Sequence, residues 1–426
     1  MKKNILVFPC GSEIALDIYS SVEYSTHFNL IGASSVEDHG SFVYENYISD
    51  IPFITDESFI PYMANVVAEN KIDAIYPAMD LVITILKENE SKLGCKVIAP
   101  SPETTQICLS KDKTYNLLKD VINTPKIFSP TEISEKDFPV FAKPKIGYGA
   151  KGTKLLESKE ELESFLDGKD NMLVLEYLPG EEFTVDCFTD RSGHLLYSAA
   201  RKRNRIKDGI SVNTYFAQDQ TEFLEIANRI NSVIKFRGAW FYQVKRDCKG
   251  QLCLLEVAAR LGGSSLLSRA VGVNFALLTL FDAFDYDVKV FKNNYSVELD
   301  RALDNKYKTN LEFDAVFCDY DDCLVLNKTQ INYRLVSFLF KCRNNNKQVI
   351  LLTKHDGTDL LEELRYFRLE QIFDEIIHIK KEDDKSKYID KGQCAIFIDD
   401  SNSERYNISS KLGIPVFSPD MIDVLL

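Results

Sequence analysis

The chain has 426 residues and a formal net charge of −13. At roughly 100–200 residues per domain, this length suggests two to four domains. Duplex DNA and anionic membranes attract basic surfaces, so the acidic balance argues against both as partners. No run of about 18 apolar residues is present, and we predict no membrane-spanning helix. The ten cysteines include no zinc-type CxxC pair, and we interpret them as reduced residues of a cytoplasmic protein.

Residues 1–108 alternate short apolar strands with amphipathic helices. The predicted elements are the strands Ile5–Phe8, Phe28–Ala33, Ala74–Pro77 and Lys96–Ala99 and the helices Glu13–Ser21 and Leu81–Lys92. Strands separated by helices imply a parallel sheet that is covered on both faces. Gly11 follows the first strand, where it is consistent with a ligand near the next helix but is explained more simply by a tight turn.

Residues 109–300 are predicted to be mixed α+β. The predicted elements are the helix Lys111–Lys119, the strands Val140–Lys143, Leu173–Glu176 and Phe183–Phe188, and the hairpin Gln243–Arg246 with Leu252–Val257. The strand that carries Lys143 leads into the glycine-rich segment 147–152. Such a loop can close over phosphates with backbone N–H donors, although a hairpin with a glycine turn would have the same sequence.

A further α/β unit is predicted after a polar linker at residues 300–312. Its predicted strands are Ala315–Cys318, Val349–Leu352 and Ala395–Ile398, and its predicted helices are Leu335–Cys342, Leu360–Tyr366 and Ser403–Lys411. The first strand delivers Asp319 and Asp321 at its carboxyl end, where ligands bind in parallel sheets. Two carboxylates on one face repel each other unless a cation lies nearby, and Mg²⁺ suits such oxygen ligands.

The residues that follow the strands of this unit occur in a recognisable order. Asp319-Tyr320-Asp321, Thr353, Lys385 and Asp399-Asp400 resemble the four motifs of the haloacid-dehalogenase (HAD) superfamily. A single aspartate would be read as a strand-end cap, whereas four motifs in register favour catalysis. The gaps between the motifs leave no room for a separate cap domain, so the resemblance implies an open site.

The HAD resemblance implies a role for each of these residues. Asp319 would attack a phosphoester and form an aspartyl-phosphate, and Asp321 would protonate the leaving group and then activate water. Thr353 and Lys385 would bind the phosphoryl oxygens. The implied magnesium ligands are Asp319, Asp321 and Asp399, with Asp400 as a further ligand. Cys323 departs from the threonine that is common in the family.

The middle region carries a second ordered set of residues. These are Ser110-Lys111-Asp112-Lys113, Lys143, the glycine-rich segment, Glu176-Tyr177-Leu178, Gly180-Glu181-Glu182, Gln243 and Glu256 to Arg260. The set resembles the ATP-grasp superfamily, close to its carbamoyl-phosphate-synthetase-like and amino-acid ligase branches. The resemblance covers residues 1–300 when the preceding α/β region is included.

The ATP-grasp resemblance implies an ATP and Mg²⁺ site. The residues implied to bind ATP are Lys113, Lys143, Gly149, Glu176, Leu178 and Glu182. Gln243 and Glu256 would bind Mg²⁺, and Arg260 would stabilise the transferring phosphoryl group. The alternative interpretation of Glu256 and Arg260 is a surface ion pair beside a strand end. Ala258 stands where the family often has an asparagine ligand.

Three arginines alternate along one segment of the middle region. Arg201, Arg203 and Arg205 fall where relatives bind the carboxylate of the acceptor substrate. A solvated basic strand or loop would show the same pattern, and the sequence leaves both interpretations open.

The predicted fold class is therefore α/β. It comprises a Rossmann-like pre-ATP-grasp domain at 1–108, an α+β ATP-grasp domain at 109–300 and a capless HAD-like Rossmannoid domain at 311–426. The two resemblances imply a bifunctional enzyme, in which an ATP-dependent carboxylate–amine ligase that works through an acyl-phosphate is joined to a Mg²⁺-dependent phosphatase.

Two alternatives remain at this stage. In the first alternative, the ATP-grasp half is a nucleotide-binding scaffold and the phosphatase is the only active enzyme. In the second, the ligase is active and the HAD half is inert. The expected partners are a small carboxylate, an amine and a phosphorylated metabolite, with a homo-oligomer as a further option and no nucleic acid or membrane.

Overall fold

The computed structural model describes residues 2–130, 132–147, 151–207, 209–302, 307, 309–357 and 359–426. The chain divides into two compact units, Met1–Leu303 and Asp304–Leu426. The finer division of the first unit at residue 108 stays a prediction. Within the described residues, no helix has both the length and the apolar character needed to cross a membrane.

The first unit begins with a parallel sheet. Its elements are β1 (Lys3–Phe8), α1 (Glu13–Val22), β2 (Phe28–Ala33), α2 (Gly40–Val43), β3 (Tyr47–Ile48), α3 (Phe59–Glu69), β4 (Ala74–Pro77), α4 (Asp80–Glu88), α5 (Glu90–Leu93), β5 (Lys96–Val97) and α6 (Pro102–Leu109). The strand order is β3-β2-β1-β4-β5. Along β1, Ile5 and Val7 pack in one cluster with α1, while Leu6 and Phe8 pack in another with α3 and α4. Side chains of a strand alternate between faces, so both faces of this sheet are covered, as predicted.

Two antiparallel sheets follow in the same unit. Their elements are α7 (Lys111–Leu118), β6 (Ile127–Phe128), β7 (Val140–Pro144), β8 (Lys154–Leu156), α8 (Lys159–Leu166), β9 (Met172–Glu176), β10 (Glu182–Thr189), β11 (Leu195–Lys207), β12 (Ile210–Phe216), α9 (Thr221–Val233), β13 (Gly238–Arg246), β14 (Leu252–Ala258), α10 (Leu266–Ala270), α11 (Phe275–Ala283) and β15 (Glu298–Asp300). The larger sheet has the order β14-β13-β10-β11-β12-β15, and the smaller has the order β6-β9-β7-β8. Apolar residues of β9 pack in one cluster with those of β10, β13 and β14, which brings the two sheets together.

The second unit is built on another parallel sheet. Its elements are β16 (Ala315–Cys318), β17 (Val325–Leu326), β18 (Gln330–Ile331), α12 (Tyr333–Asn344), β19 (Gln348–Thr353), α13 (Leu360–Tyr366), β20 (Glu375–His378), β21 (Ala395–Ile398), α14 (Asn402–Leu412) and β22 (Val416–Phe417). The strand order is β20-β19-β16-β21-β22. Because β19 and β21 flank β16 in parallel, the residues that follow these three strands meet at one edge of the sheet.

Several predicted elements are confirmed with the same bounds, namely β2, β4, β16, α13 and β21. The single helix predicted at Leu81–Lys92 is wrong, because the backbone departs from helical geometry at Asn89 and separates α4 from α5. The predicted linker begins too early, because Asp300 still belongs to β15 and pairs with Asn213 of β12.

Candidate functional site

A cavity of about 260 Å³ lies in the first unit where β7 and β9 of the smaller sheet meet β10, β13 and β14 of the larger one. Most of the residues predicted to bind nucleotide and metal line it, namely Lys143, Glu176, Leu178, Glu182, Gln243 and Glu256. Arg203, which was predicted to bind the acceptor substrate, lines it as well. Its lining also includes the apolar Phe141, Leu175 and Leu255 and the cationic Lys111, Lys151 and Lys245. The cavity thus combines apolar walls with an excess of positive charge, which suits a ligand with a planar apolar part and a polyanionic part.

Lys143 is buried at the wall of this cavity. Its Nζ atom donates hydrogen bonds to Tyr115 Oη at 2.6 Å and to the Leu255 carbonyl oxygen at 2.9 Å. Burial lowers the pKa of Lys143 to about 7, although the negative charge of Glu256 opposes the shift. An anion arriving beside Lys143 would restore the charge that burial disfavours.

Arg203 links two residues that were predicted to have separate roles. Its Nη1 atom donates to the Glu182 carboxylate and to Gln243 Oε1, the latter at 3.2 Å. Its Nε atom is buried and has no hydrogen-bond partner within the described residues. Gln243 in turn is the cross-strand neighbour of Glu256, so the two predicted magnesium ligands of this cavity are adjacent. Sequence reasoning placed Arg203 at the acceptor substrate, whereas the structure places it in the wall of this cavity.

Other predicted residues lie elsewhere or outside the described residues. Lys113 is exposed on α7 and does not line the cavity, whereas Lys111 does line it and donates to the Gly147 carbonyl oxygen at 2.9 Å. Arg205 is exposed and pairs with Asp300 at 2.7 Å. Gly149 lies outside the described residues, so its predicted contact with phosphate stays a prediction.

Arg260 is engaged by a carboxylate of the parallel-sheet region. Its Nε and Nη2 atoms each donate to Asp80 at 2.8 Å, and its guanidinium lies 5.2 Å from the centre of the Phe241 ring. The sequence offered no signal for this pairing, because Asp80 and Arg260 are far apart along the chain. The predicted contact of Arg260 with a transferring phosphoryl group stays a prediction.

Arg201 belongs to a second polar cluster in the first unit. It is buried and pairs with Asp186, with Nε 2.7 Å from the carboxylate, yet its Nη1 atom has no partner among the described residues. Asp17 Oδ2 is also buried without a hydrogen-bond partner there. Burial raises the pKa of Asp17 to about 7, against the opposing positive charges of Arg301, Arg269 and Arg201.

The turn between β14 and α10 closes one side of this cluster. A Cβ atom on Gly262 would lie 2.6 Å from Asp186 Oδ1 and 2.9 Å from Arg201 Nη2. Only glycine therefore allows the backbone to approach the buried ion pair this closely. Unpartnered buried polar groups are rare in folded proteins, and a bound ligand is one way in which their hydrogen bonds are completed.

The second unit brings together the aspartates predicted from its strand ends. Lys385 is buried and donates to Asp319 Oδ1 at 2.7 Å and to Asp399 Oδ2 at 2.6 Å. Burial disfavours the charged form of Lys385, but the two carboxylates outweigh that effect and raise its pKa. Burial raises the pKa of Asp399 to about 6, and repulsion by Asp319 acts in the same direction.

One group of oxygen atoms in this unit has the geometry of a cation site. Carboxylate oxygens of Asp319, Asp399 and Asp400 lie within 4.8 Å of one another. Only oxygen donors are present in this group, which fits Mg²⁺. Thr353 Oγ1 is buried and has no hydrogen-bond partner among the described residues, so it is free to donate to an oxyanion.

Asp321 lies apart from this group and faces a histidine instead. His355 Nδ1 is 2.9 Å from one carboxylate oxygen of Asp321 and 3.1 Å from the other. Sequence reasoning missed His355, although it lies only two residues after the predicted phosphate-binding Thr353. The position of His355, two residues after the end of β19, could have marked it as a residue near the site.

The buried position of Lys143 has a measurable consequence for stability. Between pH 7 and 10.5 the unfolded chain keeps a proton that folded Lys143 has released, so the unfolding free energy rises with pH across this window. In Lys143→Met this contribution is absent. We therefore expect the free energy of unfolding of wild type to rise, relative to that of Lys143→Met, by on the order of 4 kcal/mol between pH 6 and pH 10. Urea denaturation of both proteins at each pH measures this difference.

The exposed Lys113 provides the matched control. Lys113→Met should keep the wild-type pH profile of unfolding free energy. Parallel profiles for wild type and Lys143→Met would contradict the buried, weakly basic state of Lys143.

The first unit is similar in sequence to known proteins. Residues 168–304 match a family described as ATP-grasp in the biosynthetic pathway with Ter operon. A D-alanine--D-alanine ligase of Fusobacterium nucleatum subsp. nucleatum is 29% identical over 183 residues, which are 39% of this chain and 61% of that ligase. The chain therefore spans less than two thirds of the length of this relative.

Solved structures share the fold at low sequence identity. The biotin carboxylase domain dimer of the Hydrogenobacter thermophilus 2-oxoglutarate carboxylase, in complex with MgADP, ADP and bicarbonate, aligns with a TM-score of 0.58 and 15% identity over 68% of this chain and 72% of that chain. An L-amino acid ligase from Bacillus licheniformis aligns with a TM-score of 0.55 and 19% identity over 66% and 74% of the two chains. The predicted cofactors ATP and Mg²⁺ agree with the magnesium nucleotide in the first of these structures. Together, the similarities support an ATP-grasp relationship for this α/β chain.

Proposed function

We propose that the first unit is an ATP-dependent carboxylate–amine ligase and that the second is a Mg²⁺-dependent phosphatase. One observation carries the ligase proposal. Lys143, Glu176, Glu182, Gln243 and Glu256 come from separate strands and line a single cavity. The similarity to ligases of the ATP-grasp superfamily supports the same reaction class.

The cavity fits a nucleoside triphosphate. Cationic side chains outnumber carboxylates in its lining, and the buried Nε atom of Arg203 lacks a partner among the described residues. Lys111, Lys143 and Arg203 would bind phosphate oxygens, while Leu178 and the neighbouring apolar residues would hold the base. Gln243 and Glu256 would hold Mg²⁺, which neutralises charge on the phosphates when bound.

ATP would serve as the phosphoryl donor to a carboxylate. A carboxylate oxygen attacks the γ-phosphorus, the bond to ADP breaks, and an acyl-phosphate results. The nitrogen of an amine then attacks the acyl carbon, phosphate leaves, the nitrogen loses a proton to solvent and an amide forms. Water would hydrolyse the acyl-phosphate, so the cavity must exclude water during this sequence.

The cluster around Arg201 supports a place for the second substrate. Arg201 and Arg203 are two residues apart on β11, and a strand rises about 3.3 Å per residue, so the cluster lies close to the nucleotide cavity. Arg201 Nη1 and Asp17 Oδ2 both lack hydrogen-bond partners in the part of the chain that the structure describes. The Arg201 atom would bind a carboxylate, and the Asp17 oxygen would bind an ammonium group.

A nucleotide-binding scaffold remains a second candidate function. Both donor nitrogens of Arg260 that face Asp80 are already occupied, and Ala258 supplies no metal ligand. Nucleotide binding without turnover, across a wide panel of acids and amines, would favour this candidate over the ligase.

For the second unit, the HAD resemblance and the convergence of its motif residues support a phosphatase. Asp319, Asp399 and Asp400 would hold Mg²⁺, which stabilises negative charge on the phosphoryl group when bound. Asp319 would attack the phosphorus of a phosphorylated metabolite, while Thr353 and Lys385 would bind its oxygens. A cytoplasmic location and a homo-oligomeric state stay predictions.

Nucleotide binding provides a test of the first cavity. We expect Lys111→Met and Lys143→Met each to raise the Kd for a non-hydrolysable ATP analogue with Mg²⁺ at least about tenfold, because each removes a charge-assisted hydrogen bond worth roughly 1.5–3 kcal/mol. Isothermal titration calorimetry measures both. Release of ADP that depends on acid and amine should also be lost in Lys143→Met.

The same experiment separates Lys111 from Lys113. Lys113→Met should bind the analogue within about twofold of wild type. A loss in Lys113→Met as large as that in Lys143→Met would show that Lys113 reaches the phosphates, as the sequence resemblance implied. Unchanged turnover in Lys143→Met would refute the ligase proposal.

Asp17 provides a test of the acceptor site. In Asp17→Asn, we expect unchanged ATP-analogue affinity but an apparent KM for the amine that is at least about tenfold higher, because a charge-assisted contact is lost. The twenty amino acids, supplied in pairs as acid and amine, are the probes. Since burial raises the pKa of Asp17, its substitution should not destabilise the fold, and an equal loss of nucleotide affinity would contradict the assignment.

Phosphatase activity tests the second unit separately. Asp319→Asn removes the nucleophile and should reduce p-nitrophenyl phosphate hydrolysis at least about 10³-fold, since covalent catalysis is lost. The ligase reaction of the same variant should be unaffected. Equal hydrolysis by wild type and Asp319→Asn would assign the activity to a contaminant and favour an inert second unit.

A further inference from the structure

His355 occupies a position in the second unit that the four strand-end motifs do not explain. Its side chain is only 3% exposed, whereas the Asp321 side chain that it contacts is 40% exposed. His355 Nδ1 lies within hydrogen-bond distance of both carboxylate oxygens of Asp321. Substrate and water therefore have access to Asp321, while His355 acts only through it.

The surroundings of His355 hold its ring in one orientation. Its Nε2 atom makes no hydrogen bond within the described residues but lies 3.4 Å from Glu363 Oε1. The rings of Tyr320 and His355 pack edge to face at 5.1 Å between centroids. Tyr320 Oη also donates to Glu363 at 3.0 Å. A Cβ atom on Gly357 would lie 2.4 Å from His355 Nε2, so the backbone there approaches the ring more closely than any side chain would permit.

The contact with His355 separates Asp321 from the other acidic residues. Asp319, Asp399 and Asp400 present oxygens to one common point, and among the described residues Asp321 does not belong to that group. Asp319 and Asp321 follow the same strand, so an unrestrained Asp321 carboxylate would have the same cation within reach. A carboxylate bound to a cation is a poor proton donor and acceptor.

We propose that His355 is a positioning residue that holds the Asp321 carboxylate away from the cation-binding aspartates and directs it at the leaving group. The inference rests on the proposed phosphatase function. In the first step, Asp319 attacks phosphorus, the bond to the alcohol oxygen breaks, and Asp321 gives its proton to that oxygen. In the second step, Asp321 takes a proton from water, the water oxygen attacks phosphorus, and the bond to Asp319 breaks to release phosphate.

Leaving-group dependence provides the test. The ratio kcat/KM covers the steps up to departure of the alcohol, and p-nitrophenolate departs without a proton whereas glycerolate does not. In full-length His355→Leu, kcat/KM for β-glycerol phosphate should fall at least about 100-fold, because general acid catalysis typically contributes 10²–10⁴-fold. For p-nitrophenyl phosphate the fall should be less than about fivefold.

Two further variants separate positioning from a general structural effect. His355→Asn places an amide N–H near the position of Nδ1 and should recover most of the activity toward β-glycerol phosphate. Gly357→Ala displaces the ring and should reproduce the leaving-group dependence of His355→Leu. Equal losses for both substrates, or no recovery in His355→Asn, would overturn the inference.

Metal binding supplies a readout that is independent of turnover. The Kd for Mn²⁺, measured by calorimetry on the full chain, should stay within about twofold in His355→Leu, because Asp321 is not a metal ligand. A tenfold weakening would overturn the inference by showing that the Asp321 carboxylate binds the cation. If Asp319→Asn retains wild-type hydrolysis, the proposed phosphatase function itself fails, which is a different result from equal losses in His355→Leu.

Discussion

The two sites of this protein depend on one constraint, which is that charge removed from water must be compensated by opposite charge or hydrogen bonds. Lys143 is buried, its hydrogen-bond partners among the described residues are a hydroxyl and a carbonyl oxygen, and burial lowers its pKa. Lys385 is buried between two carboxylates, and its pKa is raised. The pKa of a buried lysine is thus lowered in the first unit and raised in the second, because the second lysine has carboxylate partners, whereas none of the described residues offers the first a carboxylate at hydrogen-bond distance.

Sequence patterns were sufficient for the features that depend on local order. Short apolar strands such as Ala315–Cys318 and Ala395–Ile398 were predicted correctly, because each is a continuous apolar run that polar residues end on its carboxyl side. The convergence of Asp319 and Asp399 also follows from sequence, because residues after parallel strands meet at one edge of a sheet. The long strand β11, by contrast, was predicted only as a basic segment, since its charged residues obscure the alternation that marks a strand.

Long-range pairing explains most of what the sequence left undetermined. The pairing of Asp80 with Arg260 joins segments that are far apart, and no local pattern encodes it. The choice between Lys111 and Lys113 depends on the rotation of α7, which places Lys111 at the cavity wall and Lys113 in solvent. Asp17 lies on a helix that looks ordinary in sequence, and only its burial near Arg201 and Arg301 distinguishes it.

The residual charge of each site determines what it can bind. In the cavity of the first unit, lysine and arginine side chains outnumber glutamates, so an added polyanion improves the balance. Near Asp319, the described residues place three clustered aspartates, Asp319, Asp399 and Asp400, against the ammonium group of Lys385, so an added cation improves the balance. Phosphoryl transfer needs both kinds of compensation, because negative charge accumulates on oxygens that must approach a nucleophile. A site rich in carboxylates can therefore act on a phosphoester only with a bound cation, whereas a site rich in lysine and arginine can already attract a nucleotide before any metal arrives.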